Sequence, residues 1–184
     1  YFNNNLNSKY RKIIITASGG PFFKKKYSSL KNISFNQAIK HPKWKMGYKN
    51  SIDSATLVNK CLEIIEAHYL FNIPYENIKI LIHPEAIIHS IVEKENFVSH
   101  MNLFQNDMSI PIINFLMQSN LINKKIDNRL FFDKYSSFNF IEVKNSIFPI
   151  YKYFMELDKN DPSNLIKFNI GNEFGVNLFK KNMI

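Results

Sequence analysis

The sequence predicts an α/β fold: a mixed sheet with flanking helices, followed by the start of an all-α C-terminal bundle. Three observations carry this. Short isoleucine-rich runs at 12–17 and 78–83 are closed by glycine, proline or histidine, as buried strands are. Between them lies a segment whose apolar residues recur with the helical period. After a polar, charged stretch at 123–129, the patterns at 146–157 and 162–181 are helical only.

Taken in order, the run at 12–17 ends in Ser18-Gly19-Gly20-Pro21, which reads as a strand feeding a tight loop. Ser34 with Gln37 forms a capping-box signature for a short helix to about Lys40. His41 to Gly47 has no period and is bracketed by Pro42 and Gly47, so it reads as a loop. A long helix is expected over 55–70. Strands are expected at 78–83, 87–92 and 97–104, then a helix at 108–118 with Pro111 in its first turns. The domain reading is 1–120 as a substrate- and metal-binding domain incomplete at its N-terminus, 121–145 as a linker, and 146–184 as the start of the helical domain. Tyr1 is followed by Asn3, Asn4 and Asn5 with no initiator Met, which reads as a piece cut from a longer chain.

Composition narrows the class. The chain has 184 residues, 45% hydrophobic and 21% charged, values that exclude a mainly disordered chain. The lone Cys61 cannot form an internal disulfide, which favours a reducing compartment. No uninterrupted apolar window reaches about 18 residues, so no membrane partner or span is expected. A net charge of +9 invites a nucleic-acid reading, but 22 of the 24 basic residues are lysine, whereas base readout favours bidentate arginine. Lysine, 25 asparagines and 26 isoleucines dominate in the manner of an AT-rich codon bias, so the charge reads as solvated surface rather than a nucleic-acid footprint.

The long helix carries the chemistry. At 100° per residue, Val58, Cys61, Leu62, Ile64, Ile65, His68 and Tyr69 share one arc, and Asn59, Lys60, Glu63 and Glu66 take the other. On the wheel alone the second arc is a solvated face with an exposed Lys60–Glu63 pair. Ser54 falls on the apolar side and joins the polar stripe only if the helix starts after it, with Ser51, Asp53, Ser54 or Thr56 as cap. A helix N-terminus with hydroxyls and a lysine binds anions. Ser18-Gly19-Gly20 offers backbone N–H groups and a hydroxyl to an anion, or is only a turn. Trp44, the sole tryptophan, stands among His41, Lys43, Lys45 and Met46, either as a lid over an anionic ligand or as an anchor to the core. His68, His83 and His100 read as core or strand-end histidines, with no zinc-like spacing to Cys61; His89 is open to a role beside the site.

These ordered residues resemble a known family. Thr16-Ala17-Ser18-Gly19-Gly20-Pro21-Phe22, His41-Pro42-x-Trp44-x-Met46-Gly47, Ser51-x-Asp53-Ser54-Ala55-Thr56-x-x-Asn59-Lys60-x-x-Glu63-x-x-Glu66-Ala67 and Ile82-His83-Pro84-x-x-x-Ile88-His89-Ser90 resemble successive motifs of the 1-deoxy-D-xylulose 5-phosphate reductoisomerases. Asn172-Glu173 resembles their C-terminal helical region.

The resemblance implies a skeletal rearrangement of a small phosphorylated sugar-like substrate, then NADPH-dependent reduction, with a divalent Mg or Mn ion. It implies Glu63 as one metal ligand of three, and Ser18, Ser54, Asn59, Lys60 and His41 as substrate-binding residues. His41 and Trp44 would lie on the closing loop as catalytic residues, and Met46 and Met108 would flank the nicotinamide. It also implies a homodimer and a separate dinucleotide-binding domain, for which no G-x-G-x-x-G is present here; the chain alone should not turn over. The composition resembles the malaria-parasite members, which implies the apicoplast, a plastid; the alternative is cytoplasmic. The competing functional reading is a basic, non-catalytic RNA- or polyanion-binding module using Lys24 to Lys26 and Lys124-Lys125.

Overall fold

The computed structural model describes residues 10–41, 46–107, 109–117 and 137–184. Among them five strands form one mixed sheet. Strands β1 (Tyr10–Ala17), β2 (Ile78–Ile82), β3 (Ile88–Lys94) and β4 (Ser99–Leu103) lie where the isoleucine-rich and alternating runs place them. β1 and β2 pair in parallel, Ile13 opposite Ile78 and Ala17 opposite Ile82. A parallel pair needs a long crossover. Here it is helices α1 (Phe35–Ala38), α2 (Tyr48–Thr56) and α3 (Val58–Phe71). β3 and β4 add antiparallel on one side of β1, and β5 (Ile141–Glu142) adds antiparallel to β2 on the other.

Sheet and helices share one core. Ile13, Ile15, Ile78, Ile80 and Ile82 pack against Val58, Cys61 and Ile64 of α3, and against Phe148, Phe154, Leu165 and Phe168 from the C-terminal region. Helices α5 (Pro149–Glu156) and α6 (Pro162–Lys180) both begin with proline at their first turn, where its missing N–H costs nothing. A smaller cluster of Phe22, Ala38, Ile52, Ala55 and Val176 joins the loop after β1 to α2 and α6. Helix α4 (Ser109–Met117) follows β4, and β5 lies inside the segment read as a linker. The charged run at 123–129 lies outside the described residues.

The expected single long helix is two. Leu57 adopts a left-handed conformation (φ 64°, ψ 8°), ending α2 and opening α3. Such a φ costs a leucine roughly 1–2 kcal/mol, offset by full burial of its side chain, 1% exposed. Periodicity misses this break because each helix keeps an apolar face of its own, α2 with Ile52 and Ala55 in the smaller cluster and α3 with Val58, Cys61 and Ile64 in the main one. Ser54 therefore lies in the last turn of α2 rather than ahead of the helix. Ser51 and Thr56 do not cap α3 either; their hydroxyls donate back within α2, to the Gly47 and Ile52 carbonyls at 3.1 and 3.0 Å. Tyr69, placed on the apolar arc, is 61% exposed; the buried stripe of α3 is the narrower Val58, Cys61, Ile64 and Ala67.

Candidate functional site

Because β1 and β2 run in parallel and β3 against them, one edge of the sheet gathers the ends of several strands. The carboxyl ends of β1 and β2 lie beside the amino end of β3. The Thr16 hydroxyl donates to the Ile88 carbonyl, and the His83 N–H donates to the Ala17 carbonyl at 2.7 Å, locking this edge. Ligands of open α/β sheets sit outside the carboxyl ends of strands. Ser18, His83 and His89 all emerge there.

The loop after β1 is shaped by its glycines, both at positive φ, Gly19 at 86° and Gly20 at 66°. A Cβ on Gly20 would stand 2.9 Å from the Ser54 carbonyl oxygen and 2.9 Å from Ala55 Cα, so only glycine lets the loop rest on the last turn of α2. The Gly20 N–H donates to Ser18 Oγ at 3.3 Å, and Ser18 Oγ lies 3.1 Å from His41 Nε2. The break at Leu57 then brings a new helix N-terminus, with N–H groups lacking intrahelical partners, into the same segment as Ser54. Asn59 and Lys60 stand in its first turn. Lys60 Nζ donates to both Glu63 oxygens, at 2.8 and 2.9 Å, and Asn59 Nδ2 donates to Glu63 Oε1 at 2.7 Å. Asn59, Lys60 and Glu63 thus share one face, as the wheel requires.

Electrostatics tie the histidines to this face. Burial, and then the Lys60 charge, hold His41 below its ordinary value. His89 is also lowered; burial is the main cause, its bond to Phe104 opposes it, and the Lys60 and His83 charges add to it. Both imidazoles are therefore neutral at pH 7, and Lys60 supplies the cationic charge. His89 Nε2–H donates to the Phe104 carbonyl at 3.1 Å, and its ring stacks on Phe104 at 3.6 Å. Ser18, His41, Asn59, Lys60 and Glu63 are thus linked by bonds or charge, with Ser54 one loop contact away. Met46 is 37% exposed. Trp44 and Met108 lie outside the described residues.

The remaining histidines differ in their surroundings. His68 Nδ1–H donates to the Ile73 carbonyl at 2.7 Å and stacks on Tyr75; His100 is exposed on β4. His83 is fully buried, its Nδ1–H shared between the Asn139 carbonyl at 2.9 Å and Glu85 at 3.0 Å, while its Nε2 has no partner among the described residues. His83 is thus only half satisfied. Sequence reasoning missed the pairing of Asp53 on α2 with Asn172 on α6, 2.9 Å across a separation of 119 residues. The adjacent Asn172-Glu173 motif was its only signal.

A metal ion would find one hard oxygen donor here, Glu63, whose carboxylate is already engaged by Lys60 and Asn59. Among the described residues no group of three or more His, Cys, Asp or Glu side chains could hold an ion. The described residues therefore fit a share of a metal site and not a complete one.

A hydroxyl, a glycine loop, a helix N-terminus and one lysine gather at the carboxyl edge of the mixed sheet of an α/β domain, groups whose chemistry suits an anion. A family model described as the 1-deoxy-D-xylulose 5-phosphate reductoisomerase C-terminal domain matches residues 1–71. The 1-deoxy-D-xylulose 5-phosphate reductoisomerase of Sulfurihydrogenibium sp. (strain YO3AOP1) is 44% identical over 176 residues, 95% of this chain and 46% of that protein. That of Wolbachia pipientis subsp. Culex pipiens is 44% identical over 177 residues, 94% of this chain and 44% of that protein. Among solved structures, the reductoisomerase from Zymomonas mobilis in complex with NADPH superposes with a TM-score of 0.85 at 33% identity, over 100% of this chain and 47% of that one. A second, in complex with NADPH, fosmidomycin and magnesium, gives 0.83 at 32% identity, over 95% and 43%. The chain is similar over nearly its whole length to 1-deoxy-D-xylulose 5-phosphate reductoisomerases, and it spans about half the length of the curated relatives it matches.

Proposed function

We propose that the protein is a reductoisomerase converting 1-deoxy-D-xylulose 5-phosphate to 2-C-methyl-D-erythritol 4-phosphate in isoprenoid precursor synthesis, and that this chain supplies its substrate-phosphate grip. The observation that carries the reading is Lys60, a cation in the first turn of α3, on one face with Asn59 and acting electrostatically on His41, which lies 3.1 Å from Ser18. Ser18, Ser54, Asn59 and Lys60 hold the phosphate, so that binding energy remote from the reacting carbons orients them. His41, neutral, accepts or passes a proton at Nε2 beside Ser18, and Trp44 covers the ligand from the same loop. NADPH supplies the hydride, and a bound Mg or Mn ion would polarise the substrate carbonyl. Glu63 would offer that ion one oxygen donor, and Met46 and Met108 would contact the nicotinamide.

Homodimerisation belongs to the same reading and rests on the resemblance. A plastid (apicoplast) setting rests on the lysine-, asparagine- and isoleucine-rich composition, with the cytoplasm as alternative. Nucleic acid and membrane are not partners in this reading. Lys24 and Lys25 sit over the rings of Phe23 and Phe22 at 5.5 and 5.4 Å, which speaks against the polyanion-binding module. No helix among the described residues is long and apolar enough to cross a membrane.

The test is Lys60→Ala in the complete enzyme. Losing a charge-assisted contact of roughly 1.5–3 kcal/mol raises KM for the phosphorylated substrate by one to two orders of magnitude. Ser54→Ala, a neutral contact of about 1 kcal/mol, raises it about fivefold. An unchanged KM in Lys60→Ala overturns the phosphate assignment.

A further inference from the structure

Among the described residues Asp53 is the one buried Asp, Glu, Lys or Arg, 2% exposed, and a buried carboxylate persists only when its oxygens are paired. One oxygen accepts a bond from Asn172 Nδ2 at 2.9 Å. The other takes the Lys49 ammonium, which also reaches Glu173 Oε1 at 3.1 Å. Burial alone would lower Lys49, but its bonds to Asp53 and Glu173 outweigh that and raise it, so Lys49 stays an ammonium. Two consecutive residues of α6 are thereby clamped onto one turn of α2. Apolar packing along this seam is limited to the small cluster of Ile52, Ala55 and Val176 with Phe22 and Ala38. A cavity of about 560 Å³ runs beside it, bordered by Ile52, Ala55, Phe168, Gly171 and Val176. A polar clamp across a poorly filled seam fixes position where side-chain interlock does not.

What the clamp fixes is the next residue. Ser54 follows Asp53, and its carbonyl together with Ala55 is the surface on which Gly20 rests. We infer that Asp53 and Asn172 are a positioning pair, through which α6 sets Ser54 against the Ser18–Gly20 loop and so shapes the phosphate grip. This rests on the reading of Ser54 as a phosphate contact. Neither residue touches substrate in this scheme; both act through Ser54.

A double-mutant cycle in the complete, active enzyme tests it. The variants are Asn172→Ala, Ser54→Ala, their combination, and the exchange Asp53→Asn with Asn172→Asp. The exchange keeps one amide–carboxylate bond across the seam and leaves an oxygen for Lys49. Asn172→Ala raises KM for the phosphorylated substrate about threefold to tenfold, because loosened positioning wastes binding energy. In the Ser54→Ala background the same change adds less than about twofold, since its effect runs through the missing hydroxyl. The exchange returns KM to within about twofold of the parent, while each of its single changes does not. If Asn172→Ala does not fold, Asn172→Ser takes its place in the cycle. An unchanged KM in Asn172→Ala, an undiminished effect in the Ser54→Ala background, or an exchange that rescues nothing overturns the positioning role while the phosphate reading stands. Failure of the phosphate reading shows separately, as a Ser54→Ala enzyme with unchanged KM, and it overturns the positioning role with it.

Discussion

Gly20→Ala measures how tightly the Ser18–Gly20 loop is seated on α2. At φ 66° an L-residue carries a penalty of roughly 1–2 kcal/mol for the left-handed conformation. The added Cβ would also stand 2.9 Å from Ala55 Cα, 2.9 Å from the Ser54 oxygen and 3.3 Å from the Ala55 nitrogen. Carbon pairs rest at about 3.5–4.0 Å, so the shortfall against Ala55 Cα is about 0.6 Å. All three atoms are helix backbone and cannot rotate aside. Overpacking of this kind costs roughly 1–3 kcal/mol, for a total of about 2–5 kcal/mol if the loop stays seated. If it lifts instead, part of that cost is relieved and Ser18 moves away from Ser54. Urea unfolding and steady-state kinetics on the complete enzyme separate the two, as a lowered midpoint or as a raised KM for the phosphorylated substrate. Gly171→Ala, in the interior of α6 with open space around its would-be Cβ, is the control and raises stability by roughly 0.5–1 kcal/mol. A Gly20→Ala enzyme with parental midpoint and parental KM refutes the close seating of the loop on α2.

Glu63→Gln keeps the side-chain shape and an acceptor for Lys60 but removes a charged oxygen donor, so kcat falls by about two orders of magnitude or more with the circular dichroism spectrum unchanged. Near-normal turnover at saturating Mg or Mn removes Glu63 from the ligand set. His41 and His89 give a pH dependence whose sign follows from their lowered values. The unfolded chain takes up both protons near pH 6.5, the folded chain only at lower pH, so their contribution is full above pH 6.5 and is lost as pH falls below it. NMR titration of the imidazole signals checks this, and in Lys60→Ala both midpoints move up; unmoved midpoints remove Lys60 from their surroundings.

The strands were legible because isoleucine-rich runs closed by turn residues admit few other readings. β1 to β4 lie within a residue or two of their expected bounds. The shared face of Asn59, Lys60 and Glu63 was legible from the 3.6-residue period. The break at Leu57 was not, because its cause is tertiary: a leucine accepts a left-handed φ only when burial compensates, and no local signal reports that. β5, two residues long, carries no alternation to detect, and it owes its place to pairing with β2. The Asp53–Asn172 bond joins residues far apart in sequence, and among Ser51, Asp53, Ser54 and Thr56 nothing marks Asp53 as the residue that faces α6.

The left-handed residue at Leu57 also governs which changes of length the chain tolerates. Ser54 stands on one side of it, Asn59 and Lys60 on the other, and all three are assigned to one ligand. Deleting or inserting a single residue between them would turn α3 by about 100° and slide it by about 1.5 Å relative to α2. An insertion would carry Lys60 to the buried position of Cys61 and Val58 to the polar position of Asn59, and a deletion would carry Cys61 to the polar position of Lys60; either loses core contacts and breaks the shared face of Asn59, Lys60 and Glu63. Substitutions near the break perturb one side chain each, whereas a change in residue count there shifts the phase of everything downstream. The stretch from Ser54 to Lys60 is therefore a spacer of fixed length, and a one-residue deletion within it is the smallest lesion that disables both the fold and the site.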